Sequence, residues 1–248
     1  TKYIKRNKLK NIDYFIHAAA VTNPKNSSIK KNLININLSL TLSSLILAKK
    51  MNVKKYYYIS STSIYGYYKN ILYNDENTKP ILRDDYSISK KIGENIVSEF
   101  CKFNKIDFKI LRLGNIYSGF EKKSWSRSSV SFLQKWISNL NKKKFMQTNF
   151  FSSRRDWTFA KDLPLILHNI ISSKKKNPRI INLVSPYIRK DIQIMEHIIN
   201  KHSKMIVAKE DKKNKKTKIP TRSIYLHKYK FNNWTSPEKA INKIIKLK

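Results

Sequence analysis

The alternation of short β-rich runs with longer helical patterns predicts an α/β fold organised on a parallel sheet. Three runs carry the strand side: DYFIHAAA at 13–20, KKYYYISS at 54–61 and FKILRLG at 108–114. Between them lie apolar positions at helical spacing, from 28 to 50 and from 84 to 103. Strands separated by helices of that length are βαβ units, whose strands run parallel. Hydrophobic residues make up 40% and aromatics 12% of the 248 residues, enough for a core and too many for a disordered chain.

Each element has a local reason. The 13–20 run ends in small residues, which suits a buried strand leading into a turn. The 28–50 pattern stops at Asn52. Asp84 and Asp85 begin the next helix, with carboxylates in its first turn where the helix dipole favours negative charge. Downstream, helices are predicted near 128–142, 161–173, 190–201 and 237–247, with a strand at 179–185. No internal repeat is visible. No apolar run approaches the roughly 18 residues of a membrane helix, and no signal-peptide pattern opens the chain. A cytoplasmic protein without a membrane partner is the default expectation.

Composition narrows the function classes. Lys+Arg total 52 against 16 Asp+Glu, a formal net charge of +36. That balance suggests a nucleic-acid partner. Yet 43 of the basic residues are lysine and 9 are arginine, spread along the whole chain. Lys, Asn, Ile, Tyr and Phe are abundant together while Gly, Ala and Pro are scarce, the imprint of AT-rich codons. Forked contacts to phosphates and bases favour arginine, so no specific nucleic acid is expected. The densest cluster, KEDKKNKKTK at 209–218, reads as a solvated loop. The single cysteine, Cys101, excludes a disulfide framework and a CxxC metal site, and no metal is expected. In IVSEFCKF it reads as a small buried apolar residue. Four glycines, Gly66, Gly93, Gly114 and Gly119, form neither G-x-G-x-x-G nor a P-loop.

The sharpest local signal is YSISK, with Tyr86 and Lys90 at the start of a helix. Four residues apart, phenol and ammonium share one face. A nearby ammonium favours the phenolate, which would lower the Tyr86 pKa and make it a general acid/base near neutrality. Alone, Y-x-x-x-K also describes a surface Tyr beside a surface Lys.

Context sharpens it. SSTSIYG at 60–66 follows a strand, and its Ser61 lies 25 residues before Tyr86. IHAAA precedes both motifs, LRLGNIYSG follows the next strand, and RRDWTFAKDL comes later. In this order and spacing the chain resembles the extended short-chain dehydrogenase/reductase family, the NAD-dependent epimerase/dehydratases.

That resemblance implies a Rossmann-like doubly wound parallel sheet lacking its first βαβ portion, with a smaller C-terminal α/β substrate region. Residues 1–120 would form a partial dinucleotide-binding domain. Residues 121–248 would mainly bind substrate, with segments near 150–185 returning to the core. It implies NAD or NADP as cofactor, NAD preferred, and a sugar substrate of the nucleotide-sugar class. Ser61 matches the catalytic Ser/Thr that bonds the substrate oxygen, Tyr86 the acid/base, and Lys90 the lysine that tunes it and holds the nicotinamide ribose. Ala18 and Ala19 match the small residues where the strand end approaches the cofactor. Asn37 matches an asparagine near the nicotinamide side. Asn115 and Arg155 match substrate contacts, and Asp162 a structural aspartate. The bland alternative for Arg155 is an ion pair with adjacent Asp156. Relatives often form a homodimer through two helices, here those near 30–50 and 86–103.

Two departures matter. The dehydratase subgroup carries an Asp-Glu pair after the catalytic Thr; Thr62 and Ser63 stand here, which favours epimerisation, reduction or oxidation over dehydration. The family also opens with strand, G-x-x-G-x-x-G, helix and an acidic ribose-binding residue before the strand at 13–20. This sequence reaches that strand by Asp13 and begins with Thr1. The expectation is that roughly the first 50–60 residues of the unit lie outside it, leaving the strand as an apolar edge. Two alternatives follow: a non-catalytic or decaying fragment unable to bind cofactor, and a basic nucleic-acid-binding protein.

Overall fold

The computed structural model describes residues 10–66, 71–140, 146–148, 151–202, 208–210 and 219–246. Strand β1 (Tyr14–His17) leads through helices α1 (Ser27–Lys31) and α2 (Leu33–Lys50) to β2 (Lys55–Ser61). A 3-10 turn, Thr62–Tyr65, follows, then α3 (Asp85–Phe103), β3 (Asp107–Leu113) and β4 (Asn115–Tyr117). Next come α4 (Phe132–Leu140), β5 (Met146–Thr148), β6 (Arg154–Phe159), α5 (Leu163–Ser172) and β7 (Ile180–Leu183). The chain continues through β8 (Ile188–Lys190), α6 (Asp191–His202), β9 (Ala208–Glu210) and α7 (Pro237–Lys246).

Strands β1, β2, β3 and β7 form one parallel sheet in the order β1-β2-β3-β7. Parallel strands covered on both faces read as unbroken apolar runs, and YYYIS is such a run. Side-chain parity divides it. Tyr56 and Tyr58 pack with Leu45, Ala48, Val97 and Cys101 of α2 and α3. Tyr57 and Ile59 pack with Ile166 and Ile170 of α5 on the other face. Helices on both faces make the sheet doubly wound, as the family resemblance implies.

Cap chemistry sets the boundaries. Asn26 begins α1 by accepting the Ile29 N–H at 3.0 Å. The predicted helix at 28–50 divides at Asn32, whose side chain donates to the Ser28 carbonyl at 3.2 Å. Asn competes for backbone groups in this way, which suits helix ends better than interiors. Asn52 takes the left-handed conformation, φ 50°, and ends α2. Asp84 caps α3 through a capping box with Ser87, so Asp85 is the first helical residue.

Strand β1 is the edge of the sheet among the described residues, with Tyr14 47% and Ile16 44% exposed on the face away from α2. Cys101 is buried, and burial pushes its thiol up to about 12.

The 128–142 prediction narrows to Phe132–Leu140, and residues 141–142 lie outside the described set. So do 211–218 of the lysine cluster, whose first two residues lie in β9. Strands β4, β6 and β8 form a second sheet, β4 parallel and β8 antiparallel to β6, while β5 pairs with β9. None of these five strands was legible in the pattern, being three to six residues long and, in β6, opening on Arg-Arg-Asp. Behind the second sheet a core of Tyr117, Trp136, Trp157, Ile194 and Ile241 joins α4, α6 and α7. Among the described residues, no helix is long and apolar enough to cross a membrane.

Candidate functional site

The strand register brings the C-terminal ends of β1, β2 and β3 to one edge, and the signalled residues collect there. Ser61 ends β2 in extended conformation, and its Oγ accepts the Ser63 N–H at 3.1 Å, capping the following turn. Ser61 stands close enough to Tyr86 for its side chain to favour the phenolate. Tyr86 lies in the first turn of α3 and Lys90 one turn on, buried, with Nζ 6.0 Å from the Tyr86 ring centre.

One expectation changes. Lys90 was expected to lower the Tyr86 pKa; instead its ammonium turns into the sheet and donates to the Ile59 carbonyl at 2.8 Å. Burial raises the Tyr86 hydroxyl above its ordinary value, with Asp84 adding to the rise; the Ser61 side chain and the charge of Arg127 oppose it. Burial also lowers Lys90 to about 8, against the pull of Glu94.

Ala18 and Ala19 are exposed just past β1. Asn37 is buried in α2 with its carboxamide engaged at both ends: Oδ1 accepts the Val21 N–H at 2.8 Å, and Nδ2 donates to the Val21 carbonyl at 2.9 Å and Ser89 Oγ at 3.0 Å. It fixes the Ala18–Val21 segment against the helix that carries Tyr86.

A cavity of about 360 Å³ is lined by Asn115, Arg127, Ser131, Phe132, Arg155 and Trp157 among others, and the charge of Arg127 acts on Tyr86. Arg155 does not pair with its neighbour Asp156, because successive side chains on a strand point to opposite faces. Its guanidinium forks onto Asp191 instead, at 2.7 and 2.9 Å, and lies over the Phe132 ring. Asp156 accepts both the backbone and the side-chain N–H of Asn115, each at 2.9 Å. Asp162 accepts the backbone N–H and hydroxyl of Thr235, each at 2.8 Å, as a structural aspartate would.

Sequence reasoning missed two groups. Arg127 reaches the cavity because the segment before α4 is clipped to the loop after β1: the Thr22 and Asn23 N–H groups donate to the Ser126 carbonyl, and Ser128 N–H returns to Asn23. Its only signal was an arginine in a lysine-dominated, serine-rich stretch. The second group lies beneath Lys90. Glu94 takes a forked ion pair from Arg112 at 2.8 and 2.7 Å and the Ser60 hydroxyl at 2.7 Å, and Arg112 also donates to Tyr65. An arginine inside the apolar strand FKILRLG was the available sign.

All four glycines have identifiable reasons. Gly66 and Gly119 have φ of 62° and 76°. A Cβ on Gly93 would stand 2.2 Å from the Tyr58 hydroxyl, and one on Gly114 2.0 Å from Asp156 Oδ2. Among the described residues, no three of His, Cys, Asp and Glu are placed to hold a metal ion.

The chain is 27% identical over 179 residues to a protein of Methanocaldococcus jannaschii provisionally named a UDP-glucose 4-epimerase; the match covers 70% of this chain and 56% of that one. The chain thus spans little more than half the length of this curated relative. Among solved structures, the UDP-glucuronic acid 4-epimerase of Bacillus cereus, in complex with UDP-glucuronic acid and NAD, superposes with a TM-score of 0.79 at 19% identity, covering 100% of this chain and 78% of that one. The UDP-glucose 4-epimerase of Thermotoga maritima, with UDP-glucose, gives 0.80 at 15% identity, covering 99% and 80%. At such identities these two show a shared Rossmann-type fold. The sequence model of the NAD dependent epimerase/dehydratase family matches residues 3–184, well over half of the chain, and the protein belongs to that family.

Proposed function

We propose that this chain carries the catalytic part of an NAD- or NADP-dependent epimerase or reductase that acts on a nucleotide sugar. The single observation that supports it most is the clustering of Ser61 and Tyr86 with buried Lys90 one turn along the same helix, while Arg127, whose charge acts on Tyr86, lines a cavity with Asn115 and Arg155. A nicotinamide dinucleotide would lie over the end of β1, where Ala18 and Ala19 are exposed and small. Lys90 would hold its ribose. Such a cofactor supplies, when bound, the hydride acceptor and donor.

The chain's own groups handle the proton and the charge. Burial keeps the Tyr86 hydroxyl protonated near neutrality, so it is poised to donate to a substrate carbonyl oxygen that the Ser61 hydroxyl holds. In the reverse direction Tyr86 must first lose that proton, which the Ser61 side chain and Arg127 favour. Arg127 and Arg155 line the cavity, paired with Glu121 at 3.0 Å and Asp191 at 2.7 Å, and a diphosphate would take their guanidinium donors in competition with those carboxylates. Thr62 and Ser63 bring hydroxyls and no carboxyl to the turn after Ser61, which favours epimerisation or reduction over loss of water. A homodimer through α2 and α3 belongs to this reading; Leu42 and Ile46 lie exposed on α2 for it.

The test is turnover of UDP-glucose with NAD, followed by proton NMR, in the full chain and its Tyr86→Phe variant. Loss of a general acid/base is expected to slow turnover by about 100-fold or more. A variant with near-wild-type rate refutes the assignment.

A further inference from the structure

The three tyrosines of KKYYYISS separate by parity, and Tyr58 goes to the face of α2 and α3 with 1% exposure. The His17 ring stacks on it, centroids 5.7 Å apart and planes 22° from parallel. The Lys90 Nζ lies over it at 4.9 Å from the ring centre, closer than to the Tyr86 ring. Its hydroxyl lies within electrostatic reach of Thr41. That hydroxyl also occupies the place where a Cβ of residue 93 would be, so the glycine at 93 admits this ring. Lys90 and Gly93 are three apart on α3 and share one face. In a chain with four glycines, one stands where Tyr58 needs it.

We propose that Tyr58 is the positioning residue for Lys90: its ring face and the next carbonyl, that of Ile59, together hold the ammonium at the end of β2 beside Tyr86. An ammonium has three donors, and the structure supplies one strong acceptor, Ile59 O, at 2.8 Å. The negative face of an aromatic ring is the second attraction that a buried cation can use. Glu94, four residues on, is tied to Arg112 and Ser60. The groups facing Lys90 are then His17 from β1, Tyr58 and the Ile59 carbonyl from β2, and Tyr86 and Glu94 from α3. His17 adds no competing charge: burial, and then Lys90 itself, hold it down to about 4.

This inference rests on the reading above for the role of Lys90, but its test does not depend on turnover. The lysine's protonation is read in the full chain by peptide-mapped acetic anhydride labelling across pH. Tyr58→Phe keeps the ring and is expected to leave the Lys90 midpoint unchanged. Tyr58→Leu keeps an apolar filler without the π face, and is expected to lower the midpoint by roughly 0.5–1.5 pH units. Fluorinated phenylalanines at position 58 change the ring electrostatics with little change in shape, and so serve even where Tyr58→Leu does not fold. The midpoint should fall stepwise with each added fluorine. A Lys90 midpoint indifferent to both Leu and fluorination overturns the proposal and leaves Tyr58 as packing. Loss of activity in Tyr58→Leu with unchanged midpoint does the same. A rate that survives Tyr86→Phe instead removes the functional reading and leaves the Tyr58–Lys90 contact standing.

Discussion

Asn37 in the second turn of α2 donates to the Ser89 hydroxyl of α3 at 3.0 Å, and the same carboxamide clamps both backbone groups of Val21. One buried side chain thus sets the distance between the loop after β1 and the helix that carries Tyr86 and Lys90. Asn37→Ala would leave the Val21 N–H and C=O buried without a partner. Each orphaned group costs about 1–3 kcal/mol, so urea unfolding should show a loss of roughly 2–4 kcal/mol. The KM for cofactor should rise more than kcat falls, because the clamp acts on the loop. An unchanged unfolding midpoint would remove the clamp from the argument.

The Glu94–Arg112 pair is buried on both sides, with side chains 1% and 4% exposed. Removing one partner leaves an uncompensated buried charge, which costs roughly 3–5 kcal/mol. Arg112→Met alone should therefore be strongly destabilising. Replacing both, as Glu94→Leu with Arg112→Met, should recover much of the loss, since a well-packed apolar pair can match a buried ion pair. A double variant less stable than Arg112→Met alone would contradict this.

His17 sets an acid limit. Its pKa is about 4 in the folded chain, against 6.5 for a free imidazole, chiefly through burial and secondly through Lys90. Above pH 6.5 it is neutral whether the chain is folded or not, and the fold keeps its full stability. As pH falls from 6.5 towards 4, the unfolded chain takes up the proton and the folded chain does not, so stability is lost in that window. His17→Phe keeps a ring against Tyr58 and does not titrate. Urea midpoints at pH 7, 6, 5 and 4.5 should show the wild type losing ground to the variant; parallel curves would exclude the effect.

Gly93→Ala places a methyl 2.2 Å from the Tyr58 hydroxyl and 2.9 Å from its Cζ. Overpacking of this kind costs typically 1–3 kcal/mol. On a Tyr58→Phe background the nearer clash is gone and part of the loss should return, so a double-mutant cycle should give a coupling on the order of 1 kcal/mol. Additive effects would mean that the helix moves instead of meeting the ring.

The sheet strands and long helices were legible because their signals are local. Period-2 and period-3.6 patterns, the Asp84 cap and the Asn52 stop act over a few residues. The same holds for the Tyr86–Lys90 spacing, since one turn of helix fixes it whatever surrounds it. The short strands β4, β5, β8 and β9 give too few residues for a pattern, and in β6 the polar opening hides a buried strand. Arg155 shows why partners are harder: its neighbour in sequence, Asp156, faces away, and its partner Asp191 arrives from α6.

By itself the sequence determined the order of the four sheet strands and the long helices between them, which follow from spacing along a regular backbone, while the doubly wound class and the roles of Ser61, Tyr86 and Lys90 came from the resemblance that its motifs carry. The tertiary structure alone decided what those groups feel. It turned Lys90 towards Ile59 and Tyr58, raised Tyr86 through burial, brought Arg127 to the cavity, and paired Glu94 with Arg112. Those outcomes depend on desolvation and on contacts between distant segments, and neither is a property of any one stretch of chain. The four glycines span both levels. Their scarcity is compositional, but the need for them at 66, 93, 114 and 119 appears only once Arg83, Tyr58, Asp156 and Ile244 are packed beside them.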